Sequence, residues 1–214
     1  MQSKSRGRYR RYESNRVEIL RAAAREFSRH GFAVSTMKEI GERIQMTKGN
    51  LYYYFQSKHE LLYFCQEYSL NMMLAEARQV LRREKRADAQ LREIIRAQLG
   101  CMLDEMQASA AHIDFRDLPS GLLRSIIKKR DRYERLIRWV IQRGIQERVF
   151  RVCDVRAAAW AVLGALNWTA QWYRPGGPMS VDQIAGEFAD LLVGGLLRRR
   201  IPRSQSANDR RRRR

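Results

Sequence analysis

At 214 residues the chain can bury a substantial core of its own and needs no stapling. Its 42 Lys/Arg against 23 Asp/Glu give a formal charge of +19, which favours a polyanionic partner such as nucleic acid over a small acidic substrate. Three cysteines, Cys65, Cys101 and Cys153, are odd in number, far apart and without metal-ligand spacing; this argues against a disulfide framework or metal site and for a reducing, cytoplasmic setting.

The positive charge gathers at the two ends: residues 1–60 carry a net +7, residues 61–197 a net +4 and residues 198–214 a net +8. Charge alone leaves open the alternative of a merely solvated basic surface. The basic start MQSKSRGRYRRYESN leads into no apolar run. The longest uncharged stretch, 157–173, is interrupted by Asn167, Thr169 and Gln171, so neither a signal peptide nor a membrane span is expected.

Apolar residues recur at i, i+3/i+4 and i+7 along the chain and no long strand-like alternation occurs, which predicts an all-α protein of about nine helices. The first carries Val17, Leu20, Ala24 and Phe27 on one face and ends at Gly31, a residue suited to the left-handed position after a helix. Thr36 with Glu39 and Ser57 with Glu60 form capping boxes, and Thr47 is an N-cap between them. These signals predict short helices at about 36–43 and 47–54 and a long one from 58 to 85. Further helices are expected at roughly 88–107, 119–128, 131–147, 154–173 and 181–199, with Pro119 in a first turn, Asp154 as a cap, and Ser180 with Gln183 as another capping box. The tail from Pro202 lacks apolar residues and ends in five arginines, a composition expected to stay disordered.

The two short helices, with Ile40 and Ile44 on one and Leu51 and Phe55 on the other, cannot bury their apolar faces alone and must pack on the first helix. A tight turn at Gln45–Met46 then makes a helix-turn-helix, whose second helix offers its N-terminal residues to the major groove. Thr47, Lys48, Gly49, Asn50, Tyr52 and Tyr53 are the residues exposed there. Lys48 can donate to guanine, Thr47 and Asn50 can bond phosphates or bases, and Gly49 lets the backbone approach DNA. Lys58, at the next helix start, is placed to meet a phosphate with nearby backbone N–H groups. For Arg8, Arg10 and Arg11, a minor-groove arm and a solvated arm remain equally open.

The segment STMKEIGERIQMTKGNLYYYFQSKHELL (35–62), preceded by AAAREFSRHGF (22–32), resembles the DNA-binding signature of the TetR family over residues 16–64. The resemblance implies that Lys48, Gly49, Tyr52 and Tyr53 face bases or the adjoining backbone, and that Thr36, Asn50 and Lys58 face phosphates. It implies a homodimer on double-stranded, pseudo-palindromic operator DNA, released by a small effector.

Downstream, the segment 157–172 is apolar nearly all round, which predicts burial on several sides. The last helix bears a stripe of Ile184, Phe188, Leu191, Leu192 and Leu196 suited to a four-helix dimer interface. Residues 165–191 resemble the C-terminal region of TetR-type regulators of fatty-acid, steroid and aromatic-acid breakdown, implying an acyl-CoA thioester as effector. The candidate effector residues are Met102, Phe115, Trp139, Trp168, Trp172 and Arg174, with Met106, Arg116 and Arg124 as further material. The implied organisation is a basic arm (1–14), a helix-turn-helix domain (15–60), an effector and dimerisation domain (61–200) and an arginine-rich tail (201–214). No cofactor, metal site or catalytic constellation is expected, since His30, His59 and His112 lie in separate helical contexts. A nonspecific nucleic-acid-binding protein and an activator of the same fold are the alternatives.

Overall fold

Eight helices run through the residues described by the computed structural model, 2–103 and 115–198. They are α1 (Gln2–His30), α2 (Met37–Arg43), α3 (Lys48–Tyr54), α4 (Lys58–Arg83), α5 (Ala87–Leu103), α6 (Ser120–Gln146), α7 (Val155–Trp172) and α8 (Val181–Leu196). Among these residues the sole β-type pairing is an isolated antiparallel bridge between Phe150 and Leu197. No helix among them is long and apolar enough to cross a membrane.

Most helix starts follow from local chemistry. The side chains of Thr36, Thr47, Ser57, Asp154 and Ser180 each accept the backbone N–H three residues on, satisfying donors that have no partner inside the helix. The boxes at Thr36 and Ser180 are reciprocal. At Ser57 the returning carboxylate of Glu60 instead accepts from the N–H of Gln56, at 2.7 Å. Pro119 is itself the N-cap of α6 rather than a first-turn residue.

Two helix boundaries differ from the expectation. First, α1 begins at Gln2, so residues 2–14, read from sequence as an arm, continue the first helix. Second, the expected break near residues 129–130 is absent and α6 is one helix of 27 residues, which accounts for eight helices rather than nine. Its buried residues Ile126, Tyr133, Ile137, Val140, Ile141 and Gly144 form one unbroken stripe. Of the charged run between them, Arg130 falls in register with that stripe, and Lys129 pairs with Glu67 of α4 at 3.1 Å.

The central helix is α5, packed against α4, α6, α7 and α8. It buries residues from Ala87 to Leu103 on more than one side, the situation expected of α7. Helix α7 instead buries only Ala159, Val162, Leu166 and Thr169 in this chain. Arg92 of α5 forms an ion pair with Asp190 of α8.

The C-terminal end of α6 is packed unusually closely. The ring of the buried Phe150 covers Gly144, where a Cβ would lie 2.1 Å from a ring carbon. Gly144→Ala gains up to about 1 kcal/mol of helix propensity, but overpacking of this kind costs about 1–3 kcal/mol. A net loss of stability is therefore expected in urea denaturation, and an unchanged or raised midpoint would contradict the packing described.

Candidate nucleic-acid interface and ligand cavity

The helix-turn-helix rests on a small apolar core. Leu20, Ala24 and Phe27 of α1 are buried with Ile40 of α2, Leu51 of α3, Phe55 just after it, and Leu61, Leu62 and Cys65 of α4. Val17 and Ile44 are only half-buried. Between α2 and α3, Gln45 adopts a left-handed φ of 55° and the N–H of Met46 donates to the carbonyl of Gly41 at 2.9 Å. A Cβ at Gly41 would lie 2.9 Å from the Met46 carbonyl oxygen, so the turn closes this tightly because Gly41 has no side chain. The buried carboxylate of Glu26 on α1 receives Arg43, at the end of α2, and His30.

Helix α3 presents Lys48, Gly49, Asn50, Tyr52 and Tyr53 to solvent while Leu51 is fully buried. Tyr53 is 71% exposed. The Lys48 ammonium lies 5.9 Å from the Tyr52 ring centroid, within reach of a cation–π contact. Thr47 is exposed and its hydroxyl accepts from the N–H of Asn50. Thr36 is exposed too, but its hydroxyl donates to Glu39 at 2.8 Å while accepting that residue's N–H. The same hydroxyl holds the Glu39 carboxyl below the usual carboxylate range.

Lys58 departs from its expected place. Its ammonium donates to the carbonyls of Phe32 (2.6 Å), Ala33 (3.1 Å) and Ser35 (2.9 Å) and lies over the Phe32 ring. An ammonium has three protons, so all of them close the α1–α2 turn and none is left for a phosphate.

The N-terminal part of α1 supplies contacts missed at the sequence level. The Tyr12 ring lies 5.0 Å from Tyr54 and 6.0 Å from Tyr53. The Asn15 side-chain amide donates to the Tyr54 hydroxyl at 2.7 Å, and the Arg16 guanidinium covers Phe55 and Phe64. Their signal is the i, i+3, i+4 spacing of 12, 15 and 16, which puts them on one helical face. The side chain of Arg8 lies outside the described residues; Arg10 and Arg11 are exposed.

A cavity of about 350 Å³ opens among α4, α5, α6 and α7, at the small end of the range for ligand pockets. Leu70 and Met73 line it from α4, Gln98 from α5, Ile127, Arg130, Asp131, Tyr133 and Glu134 from α6, and Trp160, Leu163, Gly164 and Asn167 from α7, with Phe115 between α5 and α6. Of the six candidate effector residues only Phe115 is among the lining. Met102 is buried in the core, touched by the amide of Gln98. Trp139 is exposed beneath Arg143. Trp168, 66% exposed, and Trp172, packed on Phe188, follow the lining residues on the exposed side of α7. Arg174 donates to the carbonyls of Gln171 and Tyr173 at the end of that helix. Arg116 and Arg124 are exposed, and Met106, His112 and the arginine tail lie outside the described residues.

Arg130 and Trp160 take the places that sequence reading assigned elsewhere. Arg130 falls in the register of Ile126, Tyr133 and Ile137, a cation on an apolar stripe. Its guanidinium lies 4.7 Å from the Phe115 ring centroid, and burial pulls its pKa below the ordinary arginine value. Beside it, Glu134 accepts from the Trp160 indole at 2.9 Å and from Arg138, while the buried Tyr133 hydroxyl donates to Gln98 at 3.0 Å. These walls can bind and orient. The buried Cys65 thiol is pushed up in pKa by desolvation, the opposite of an activated nucleophile. Among the described residues no group of His, Cys, Asp or Glu is placed to hold a metal ion.

Residues 19–63 match the model for bacterial regulatory proteins of the tetR family, and residues 84–196 match that for tetracyclin repressor-like C-terminal domains. The chain is 26% identical over 194 residues to the HTH-type transcriptional repressor KstR2 of Mycobacterium tuberculosis, covering 86% of this chain and 93% of that one. It is similar in structure to the TetR-family regulator PfmR of Thermus thermophilus, with a TM-score of 0.74 and 29% identity over 84% of this chain and 99% of that one. A structure of AibR in complex with isovaleryl coenzyme A and operator DNA matches with a TM-score of 0.73 and 22% identity, covering 87% and 98%.

The Lys58 arrangement has a measurable consequence. Lys58→Met keeps the apolar stem and removes three hydrogen bonds from a charged donor. Hydrogen bonds of that kind contribute about 1.5–3 kcal/mol each when buried, and the half-exposed ammonium places the total near the lower figure. The urea midpoint is expected to fall in the absence of DNA, whereas a side chain that serves only to meet phosphate would leave it unchanged.

Proposed function

The chain belongs to the tetR family of bacterial regulatory proteins, a family of regulators rather than enzymes, and we propose that it is a cytoplasmic, homodimeric, ligand-controlled repressor. The observation that carries the proposal is the exposed face of α3, where Lys48, Gly49, Asn50, Tyr52 and Tyr53 stand together above a buried Leu51. A helix presented in this way, on a short turn, fits the major groove. In this reading Lys48 and Tyr52 meet base edges, Thr47 and Asn50 bond phosphates or bases, and Gly49 allows close approach.

The second copy is argued from α7 and α8. Trp168, Trp172 and Leu191 are large apolar side chains exposed on these two helices, and exposed apolar patches mark surfaces that bind partners. A two-fold pair built on these helices would present two α3 helices to half-sites roughly 34–36 Å apart or a multiple of it.

The effector is proposed to be an acyl-CoA thioester. AibR is named as a complex with isovaleryl coenzyme A and operator DNA, and KstR2 is named a ketosteroid transcriptional regulator. The cavity suits the acyl part, its walls being largely Leu70, Met73, Phe115, Ile127 and Leu163, and the nucleotide part would extend outside it. Helix α4 joins the two ends of the mechanism: Lys58 grips the α1–α2 turn and Leu70 and Met73 line the cavity. An effector that favours one setting of this helix by about 1–3 kcal/mol changes DNA affinity about 5–150-fold.

The test begins with operator DNA selected from random sequence. Lys48→Ala and Tyr52→Ala are each expected to cost about 1–3 kcal/mol of specific binding, with circular dichroism unchanged. Acyl-CoAs titrated into the wild-type complex are expected to release the DNA, with CoA alone as control. Equal affinity for selected and random DNA would favour the charge-driven alternative.

A further inference from the structure

The cavity holds a cation whose chemistry the acyl-chain reading does not use. Arg130 carries its guanidinium into a mostly apolar chamber, stacked on Phe115, and makes no ion pair among the described residues. The two carboxylates nearest in sequence do not serve it. Glu134 is held by Arg138 and the Trp160 indole, and Asp131, which also lines the cavity, is exposed and forms no ion pair with Arg130. Natural proteins pair charges removed from water, because an uncompensated one is costly. A guanidinium presents a planar fork that matches a carboxylate with two parallel hydrogen bonds. Gln98 adds a further N–H at the wall, its carbonyl already occupied by Tyr133.

We infer that Arg130 anchors a carboxylate borne on an apolar body, so that the ligand of this cavity is acidic at its buried end. The inference rests on the effector reading for its regulatory meaning. Two sources share the chemistry: a free carboxylic acid, and a CoA thioester whose acyl chain ends in a second carboxylate.

The experiment uses the full chain with three probes whose acyl chains are of equal length: octanoate, octanoyl-CoA and suberyl-CoA. Binding is read by calorimetry and by tryptophan fluorescence, to which Trp160 in the wall reports. One carboxylate-ended probe is expected to bind about tenfold or more tightly than octanoyl-CoA, in keeping with a charged hydrogen bond; which of the two does so identifies the source. Arg130→Met is expected to erase that preference, bringing the carboxylate-ended probe to the affinity of octanoyl-CoA, while Arg130→Lys retains part of it. If circular dichroism shows the Met variant unfolded, the Lys variant, with its charge but no fork, decides by a partial loss.

The inference is overturned if octanoyl-CoA binds as tightly as both carboxylate-ended probes, if the folded Arg130 variants keep the wild-type preference, or if none of the three binds. The outcomes separate the two proposals. A carboxylate probe that binds through Arg130 without releasing operator supports the site and defeats the effector reading. A carboxylate-ended probe that binds and releases operator equally from wild type and Arg130→Met does the reverse.

Discussion

Three backbone carbonyls, of Phe32, Ala33 and Ser35, converge on the Lys58 ammonium, and the placement of the helix-turn-helix on the rest of the molecule depends on that convergence. The α1–α2 turn would otherwise leave half-buried carbonyls to be satisfied by water. Meeting them with the first residue of α4 fixes the start of that helix against the turn. Glu26 performs the matching task on the other side, its buried carboxylate drawing Arg43 of α2 onto α1. Together the two contacts tie α4 and α2 to the end of α1 at this turn.

The same logic explains why α1 is so long. Its 29 residues span about 43 Å at 1.5 Å per residue, more than the core of the helix-turn-helix requires. The added turns are anchored by the Tyr12 and Asn15 contacts to Tyr54 and by Arg16 over Phe55 and Phe64. The aromatic end of α3 is therefore packed on one side while its N-terminal turn, from Lys48 to Asn50, stays free in solvent. That asymmetry gives a recognition helix a fixed axis and an unencumbered reading edge.

What can be read from sequence follows how local each cause is. The caps at Thr36, Thr47, Ser57, Asp154 and Ser180 each act over three residues, and all five are present in the structure. The α2–α3 turn is visible in Gln45 and Met46, although the need for Gly41 beneath it is not, since that contact depends on the turn already being closed. The place of Lys58 is not legible because its partners lie 23 to 26 residues away and nothing in a capping box announces them. In the C-terminal half, composition shows an apolar α7 but not which face the cavity uses. Trp160, Leu163 and Asn167 face inward while Trp168 and Trp172 do not. Arg130 is hidden in the run Lys128-Lys129-Arg130-Asp131-Arg132, where the charge suggests a helix break; only the register of Ile126 and Tyr133 reveals that one of these residues must turn inward.

The energetic scales of the two halves suit the proposed switch. Phosphate contacts by a basic protein supply much of its DNA affinity without reading sequence, and they weaken with salt rather than with effector. With +19 formal charges, such attraction persists whatever the cavity holds. An effector working through α4 need not abolish DNA binding. It need only remove the advantage of the operator over other sites, an advantage carried by a few base contacts of about 1–3 kcal/mol each. Since a coupling of about 1–3 kcal/mol between sites is ordinary, misaligning two α3 helices by the loss of one or two such contacts is enough to return the protein to the surrounding DNA.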